Sequence, residues 1–272
     1  MTDILPDDAP LTPRDEIRRL IAGHEGRIGD VFRLSEEGLS PEQIAERLNV
    51  ATQNFVYTYR YQIDAALDGK PTSGSVLRRQ AVSALNSLIK KSRGVLSPEA
   101  LKLLQNNRAA VEAAGLEGDP SAQAEADMQE EHSATHTLAS LAGVAGIYAF
   151  SYGWYLESQV DPDRGNTLIK VGQALDVAGR IRQHTSGART HMPEPLALIR
   201  VYSTGNRAPL EVEKTFHDLL DSAGHVNPRR TGLSSREVGK EWFLTNEDFL
   251  DSIAKALNLR TLYIGRSEFA GE

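Results

Sequence analysis

Between Thr167 and His184 the chain reads TLIKVGQALDVAGRIRQH, and four of its side chains, Lys170, Arg180, Arg182 and His184, are of types that handle phosphate. Arg180 offers a planar fork of donors that can grip two phosphoryl oxygens at once, a geometry lysine cannot copy. Arg182 reads as a neighbouring phosphate contact. Lys170 could stabilise phosphate as a compact ammonium and, if desolvated, take part in proton transfer. His184 falls one helical turn beyond Arg180, spaced to share a proton or bind phosphate. Farther on, Glu213 supplies a hard carboxylate oxygen suited to Mg²⁺, an ion that keeps several waters and accepts few protein ligands, so one acid can suffice. Upstream, Tyr148 carries a phenol near pKa 10 that needs an electropositive setting to ionise usefully. Phosphodiester hydrolysis needs an in-line water, neutralised phosphoryl oxygens and a stabilised leaving alkoxide, tasks these groups could divide.

Such groups act together only if the fold brings them together. GIYAFSYGWYLES, from Gly146, is aromatic and β-favouring; QVDPDRGN is rich in turn residues; TLIKVG is β-favouring again. These predict a β-hairpin, with Tyr152, Trp154 and Tyr155 in its packing. After Gly172, Val177 and Ile181 mark one face of a short helix and Arg180, Arg182 and His184 the others. APLEVEKTFHDLLDSAG then has helical periodicity through Leu210, Val212, Phe216, Leu219 and Leu220.

The order strand, hairpin, strand, glycine, Arg-bearing helix resembles the GIY-YIG nuclease superfamily, in the phage and bacterial branch whose second motif reads Lys-Ile-Gly or similar. The first motif is Gly146-Ile147-Tyr148 and the second Lys170-Val171-Gly172. A literal Tyr263-Ile264-Gly265 lies near the chain end, but no stretch long enough for the Arg-bearing helix follows it, so it reads as a chance tripeptide. The resemblance spans about 144–258 and implies a small α+β domain with an antiparallel sheet flanked by helices. It implies that Tyr148 activates or orients the water, that Glu213 is the metal ligand, and that Mg²⁺ or Mn²⁺ is the cofactor. His217, in a Glu-x-x-x-His pattern with Glu213, and Asn227, a weaker candidate for a structural asparagine, complete the set. Gly239-Lys240-Glu241-Trp242-Phe243 resembles the closing strand of that branch.

The region before it is helical. Periodicity predicts helices over 14–37 and 41–68, and two more at about 75–92 and 97–114. Ser40, Pro41 and Gln43 form a capping-box pattern, and Asn49 suits a left-handed turn residue. With Ile44, Leu48, Val50 and Phe55 facing inward and Ala45 small at a close approach, the pattern resembles a bacterial helix-turn-helix. Its second helix, from near Ala51, would present Thr52, Gln53, Asn54, Tyr57 and Arg60 to double-stranded DNA. A plain three-helix bundle could carry the same spacing.

Of the chain's 272 residues, 40% are apolar and 25% charged, the composition of an ordinary globular protein, and no apolar run is long enough to span a membrane. No cysteine is present and the first residues are acidic, which fits a cytoplasmic protein without disulfides. The net charge of −7 conceals two blocks. Residues 70–108 hold eight basic residues, Lys70, Arg78, Arg79, Lys90, Lys91, Arg93, Lys102 and Arg108, against Glu99 alone, whereas 109–140 hold seven acids and no Lys or Arg. Arg78, Arg79, Lys90, Lys91 and Arg93 are the candidate phosphate contacts of the helical region, or else solvated helix faces. His132 and His136, spaced i,i+4, lack an evident third ligand.

The expected architecture is therefore a helical DNA-binding region over 1–115, an acidic linker or exposed helix over 116–140, a nuclease-like domain over 141–260 and a tail over 261–272. The expected activity is metal-dependent endonucleolytic cleavage of DNA, in restriction, phage defence or a mobile element, with room for a homo-oligomer. Two alternatives stay open: a non-enzymatic DNA-binding regulator on a degenerate nuclease fold, and a nuclease acting on RNA or branched DNA.

Overall fold

The computed structural model describes residues 11–117, 120–186, 194–230 and 239–269. Seven helices come first: α1 (Pro13–Ala22), α2 (Arg27–Glu36), α3 (Pro41–Arg47), α4 (Asn54–Asp68), α5 (Ser75–Lys91), α6 (Pro98–Glu117) and α7 (Pro120–Ser140). An α+β region follows as β1 (Gly146–Tyr152), α8 (Gly153–Glu157), β2 (Thr167–Ala174), α9 (Val177–Ser186), β3 (Leu196–Ser203), α10 (Pro209–Ser222), β4 (Trp242–Thr245), α11 (Glu247–Ala256) and β5 (Arg260–Phe269). No described helix is long and apolar enough to cross a membrane.

Local chemistry sets the helix ends. Ser40 accepts from the Gln43 amide at 3.3 Å while the Gln43 side chain accepts from the Ser40 amide at 2.8 Å, closing the capping box that starts α3. Asn49 has φ of 55°, the left-handed conformation its short polar side chain tolerates, and the chain reverses there into α4. The single helix expected over 14–37 is instead two, α1 and α2, because Gly23 closes the first and Gly26 opens the second. Ile17, Ile21, Val31, Ile44, Phe55 and Leu85 form a shared helical core.

The acidic stretch folds as α7 and turns its charge onto the basic helix. Asp127 accepts from the Ser75 amide at 3.1 Å, and Glu130 accepts from the amides of Val76 and Leu77 at 2.9 Å each, so carboxylates from one helix satisfy the otherwise orphaned first-turn donors of α5. Within 116–140, where a linker or an exposed helix was expected, α7 runs from Pro120 to Ser140.

The five strands are ordered β4-β2-β1-β3-β5, and the recorded strand pairs are antiparallel. Alternation along each strand divides the side chains between two faces. One face, with Ile147, Ile169, Ile199 and Phe243, packs against Val212 and Phe216 of α10 and Leu250 of α11. The other, with Tyr148, Phe150, Leu198 and Val201, packs against Val177 and Ile181 of α9 and Leu141 beyond α7. Leu210 and Leu219, grouped with the apolar positions of α10 by periodicity, are exposed. The hairpin also differs from expectation: α8 interrupts it, and Trp154 on that helix is exposed.

The segment 261–272 is not a tail as far as Phe269. It supplies β5, paired with β3 from Leu196 to Ser203. The helical region docks on this strand. The Ala51 amide donates to Thr261 O at 2.8 Å, the Thr261 amide to Asn49 O at 3.1 Å, and Ile264 packs into the helical core. Beneath this seam lies Arg200 of β3, fully buried, bonded to Asp251 at 3.1 Å and Glu247 at 3.0 Å. Tyr202 donates to Asp251 at 2.8 Å, and Arg27 of α2 reaches the same carboxylate at 3.3 Å. Burial alone would raise the Asp251 carboxyl, but Arg200 and Arg27 hold it below its ordinary value.

Candidate active site

Tyr148 and Gly172 are cross-strand partners in the β1–β2 ladder. A methyl at Gly172 would meet the Tyr148 hydroxyl at 2.6 Å, so the glycine leaves room for the phenol to lie across the strand. Lys170, paired with Phe150, shares that face two residues away. At the start of β1, a methyl on Gly146 would meet Tyr202 O at 2.5 Å.

The turn after β2 sets the next contributors. Asp176 accepts from the amides of Gly179 and Gly143, which lower its carboxyl and fix the start of α9. Val177, Ala178 and Ile181 are buried, and the following turns carry Arg180 and His184 over the sheet. His184 Nε2 lies 3.1 Å from the Tyr148 hydroxyl, and its ring centroid lies 5.0 Å from that of Phe150. Burial first, then the charges of Lys170 and Arg180, push His184 down to about 4. Burial and the charge of Glu241 push the Tyr148 phenol well above its usual range, against a downward pull from Arg180. At neutral pH a protonated phenol therefore shares a hydrogen bond with Nε2 of a neutral imidazole, and the tautomer with the proton on Nδ1 lets the phenol donate. Arg180 makes no ion pair among the described residues, and Arg182 is exposed.

Because β4 pairs only with Thr167–Lys170, the outer edge of β2 is open beyond Lys170. Three groups close it. The Glu241 carbonyl accepts from the Val171 amide at 2.9 Å, His217 Nε2 contacts Val171 O at 2.9 Å, and Glu213 accepts from the Gln173 amide. Glu213 and His217 are i,i+4 on α10, so one helix face tracks the strand edge. Burial first, with a contribution from Glu241, raises the Glu213 carboxyl although His217 opposes it. Lys170 Nζ lies 2.7 Å from Glu241 Oε2.

Tyr148, Lys170, Arg180, His184 and Glu213 thus meet around one end of β2, His217 borders them, and Glu241 joins as a residue the sequence reading did not single out. Its signal was the Gly-x-Glu-Trp-Phe pattern itself, where the middle carboxylate is the group that faces Lys170. Asn227 is elsewhere in role: its side chain accepts from the Arg229 amide at 3.0 Å and shapes the turn at Pro228–Arg230. Tyr263 lies on β5, two strands from Tyr148, where it bonds Ser267 at 2.7 Å.

Residues 146–258 match the family model of the T5orf172 domain. Through this match the C-terminal region is similar to domains of the GIY-YIG clan, a link at the level of the superfamily. The T5orf172 match includes every member of the β2 cluster and leaves out α1–α7 and β5. No curated protein and no solved structure matches the chain. The likeness to that clan points to a nuclease-type function, and nucleases of the clan are typically metal-dependent. Among the described residues no three His, Asp or Glu side chains converge as a metal cage, His132 and His136 included. The T5orf172 region nevertheless fits a sparsely liganded cation. Glu213 is a half-buried hard oxygen donor whose proton affinity is raised by burial first and by Glu241 second, a penalty that a bound divalent ion offsets.

The residues expected to meet DNA divide. Thr52, Asn54 and Tyr57 are exposed at the start of α4, joined by Tyr61, which the sequence reading passed over. Gln53 and Arg60 are half-buried, and Arg60 bonds Ser35 at 3.3 Å. Arg78 bonds Gln123 at 2.9 Å, and Arg79 pairs with Glu268 at 2.7 Å and Glu157 at 3.2 Å. Lys91 lies 2.9 Å from His24, Lys90 is half-buried, and Arg93 is exposed. Much of the basic block is therefore already committed within the protein.

Proposed function

We propose that the protein is a metal-dependent endonuclease acting on double-stranded DNA. What carries the reading is the meeting of Tyr148, Lys170, Arg180, His184 and Glu213 at one strand end inside a region similar to GIY-YIG-clan domains. Lys170 and Arg180 are cations of the two geometries that hold a phosphoryl group, one a point charge and one a fork. Tyr148 orients the attacking water. As that water gives its proton to the phenolic oxygen, the phenol passes its own to His184 Nε2, whose lowered pKa keeps it free to accept. Glu213 would hold Mg²⁺ or Mn²⁺, which when bound supplies positive charge to the departing oxygen. The exposed face of α4, with Asn54, Tyr57 and Tyr61, is the surface proposed to read the duplex.

The test is incubation of the full chain with plasmid, linear duplex, branched DNA and RNA, each with Mg²⁺, with Mn²⁺ or with EDTA. Metal-dependent cutting of duplex DNA that disappears in Glu213→Gln supports the proposal. Binding without cutting of any substrate replaces it with a non-enzymatic DNA-binding role, and cutting confined to RNA or branched DNA changes the substrate.

A further inference from the structure

Glu241 has no part in the steps above, yet it is among the most firmly placed acids of the β2 edge. Its carbonyl is tied to the Val171 amide at 2.9 Å. The peptide groups on both sides of it are held by Arg230, whose Nε donates to Gly239 O at 3.0 Å and whose terminal nitrogens donate to Lys240 O and to Trp242 O at 3.1 Å. The Arg230 guanidinium also lies 4.6 Å over the Phe243 ring. From this anchored backbone the Glu241 carboxylate reaches Lys170 at 2.7 Å, and the Lys170 side chain is only 17% exposed.

A lysine on a four-carbon stem samples many rotamers, and an ammonium contributes most to a developing charge when it is already in place. Glu213 does not fix Lys170: its bond goes to the Gln173 amide, and Glu241 is the one acid within ion-pair distance of Lys170 among the described residues. We propose that Glu241 is a positioning residue, holding the Lys170 ammonium over the strand pair that carries Tyr148 and Gly172, while Arg230 fixes the strand end from which it does so. The consequence for rate rests on the nuclease reading. The hold on Lys170 does not.

The experiment uses the full chain and four variants, Glu241→Gln, Glu241→Asp, Lys170→Met and the double change Glu241→Gln with Lys170→Met. Single-turnover cleavage of duplex DNA is expected to fall roughly 10- to 100-fold in Glu241→Gln, through loss of a preorganised charge. Duplex affinity in EDTA does not weaken, and Glu241→Asp recovers part of the rate. In the Lys170→Met background the Glu241 change adds no further loss. A second readout is independent of cleavage: in competitive reductive methylation Lys170 reacts more slowly than the exposed Lys240, and Glu241→Gln brings the two closer together. Losses that add in the double variant, or unchanged methylation of Lys170 in both Glu241→Gln and Glu241→Asp, overturn the assignment. If the parent cuts no nucleic acid, the nuclease reading fails, and the methylation comparison still decides whether Glu241 holds Lys170.

Discussion

The two charged clusters of this molecule use the same residue types to opposite ends. At the seam, Arg200, Asp251, Glu247, Arg27 and Tyr202 bond one another, and Arg200 is sealed from water. At the edge of β2 beyond β4, Lys170 pairs with Glu241 and Tyr148 with His184, but Arg180 has no ion-pair partner among the described residues and Glu213 leans on a backbone amide. A closed network stabilises one arrangement. An open one keeps charge available for a ligand. Both clusters hold shifted groups, but burial is the first cause behind the net shifts of Tyr148, His184 and Glu213 at the β2 edge, whereas at the seam the charges of Arg200, Arg27 and Arg266 overcome burial to lower Asp251 and Glu247.

The sharpest break between the two clusters is stability. Asp251→Asn leaves Arg27 without its carboxylate and Arg200 with Glu247 as its remaining acid, and should lower the unfolding free energy by about 3 kcal/mol, read by urea denaturation. The Asp251 carboxyl is depressed in the fold, so its contribution is fully present above about pH 4 and is lost as pH falls through the folded value. Glu213→Gln should leave the urea midpoint nearly unchanged and remove metal-dependent cleavage. A Glu213→Gln protein that still cuts in Mg²⁺ would deny the β2 edge its proposed role.

Next in size, Lys170→Met should slow cleavage by tens to hundreds of fold, about 2–4 kcal/mol in the barrier. Tyr263→Phe should leave the rate alone and cost stability about 1–2 kcal/mol, because its hydroxyl both donates to the Ser267 hydroxyl and accepts from the Ser267 amide. A crippled Tyr263→Phe beside an intact Lys170→Met would show that the wrong tripeptide was assigned. For His184, an NMR titration should find a midpoint near 4, moving upward in Lys170→Met because a cation that lowers it is gone. Since the folded value lies below the ordinary one near 6.5, this group weakens the fold as pH falls from about 6.5 towards 4. A midpoint at 6.5 would mean the imidazole is not enclosed beside Tyr148. Smallest of all, Tyr57→Ala should weaken duplex binding only a few-fold, as loss of one stacking or groove contact would, with no change in melting temperature.

What could be read in advance was what the chain decides locally. The Ser40 cap and the Asn49 turn depend on residues within a few positions of each other, and Lys170-Val171-Gly172 was preferred to Tyr263-Ile264-Gly265 because of the helix that follows it. Arg200 was illegible because, inside LALIRVYS, it resembles an interruption of an apolar strand; its partner Asp251 is far along the chain. Glu241 was hidden for the same reason, its meaning lying in Lys170 across a ladder. The basic block misled in another way, since a count of charges does not reveal that the acids of α7 bind the amides of α5 or that Arg79 is taken by Glu268.

The last strand bears on how this protein can be divided. The T5orf172 match stops at residue 258, before β5 begins. A fragment cut at that boundary would uncover the whole outer ladder of β3, a row of unpaired amides and carbonyls between the side chains of Leu196, Leu198 and Val201. Bare edges of that kind recruit strands from other molecules. Such a fragment should self-associate through β3 rather than survive as a free monomer.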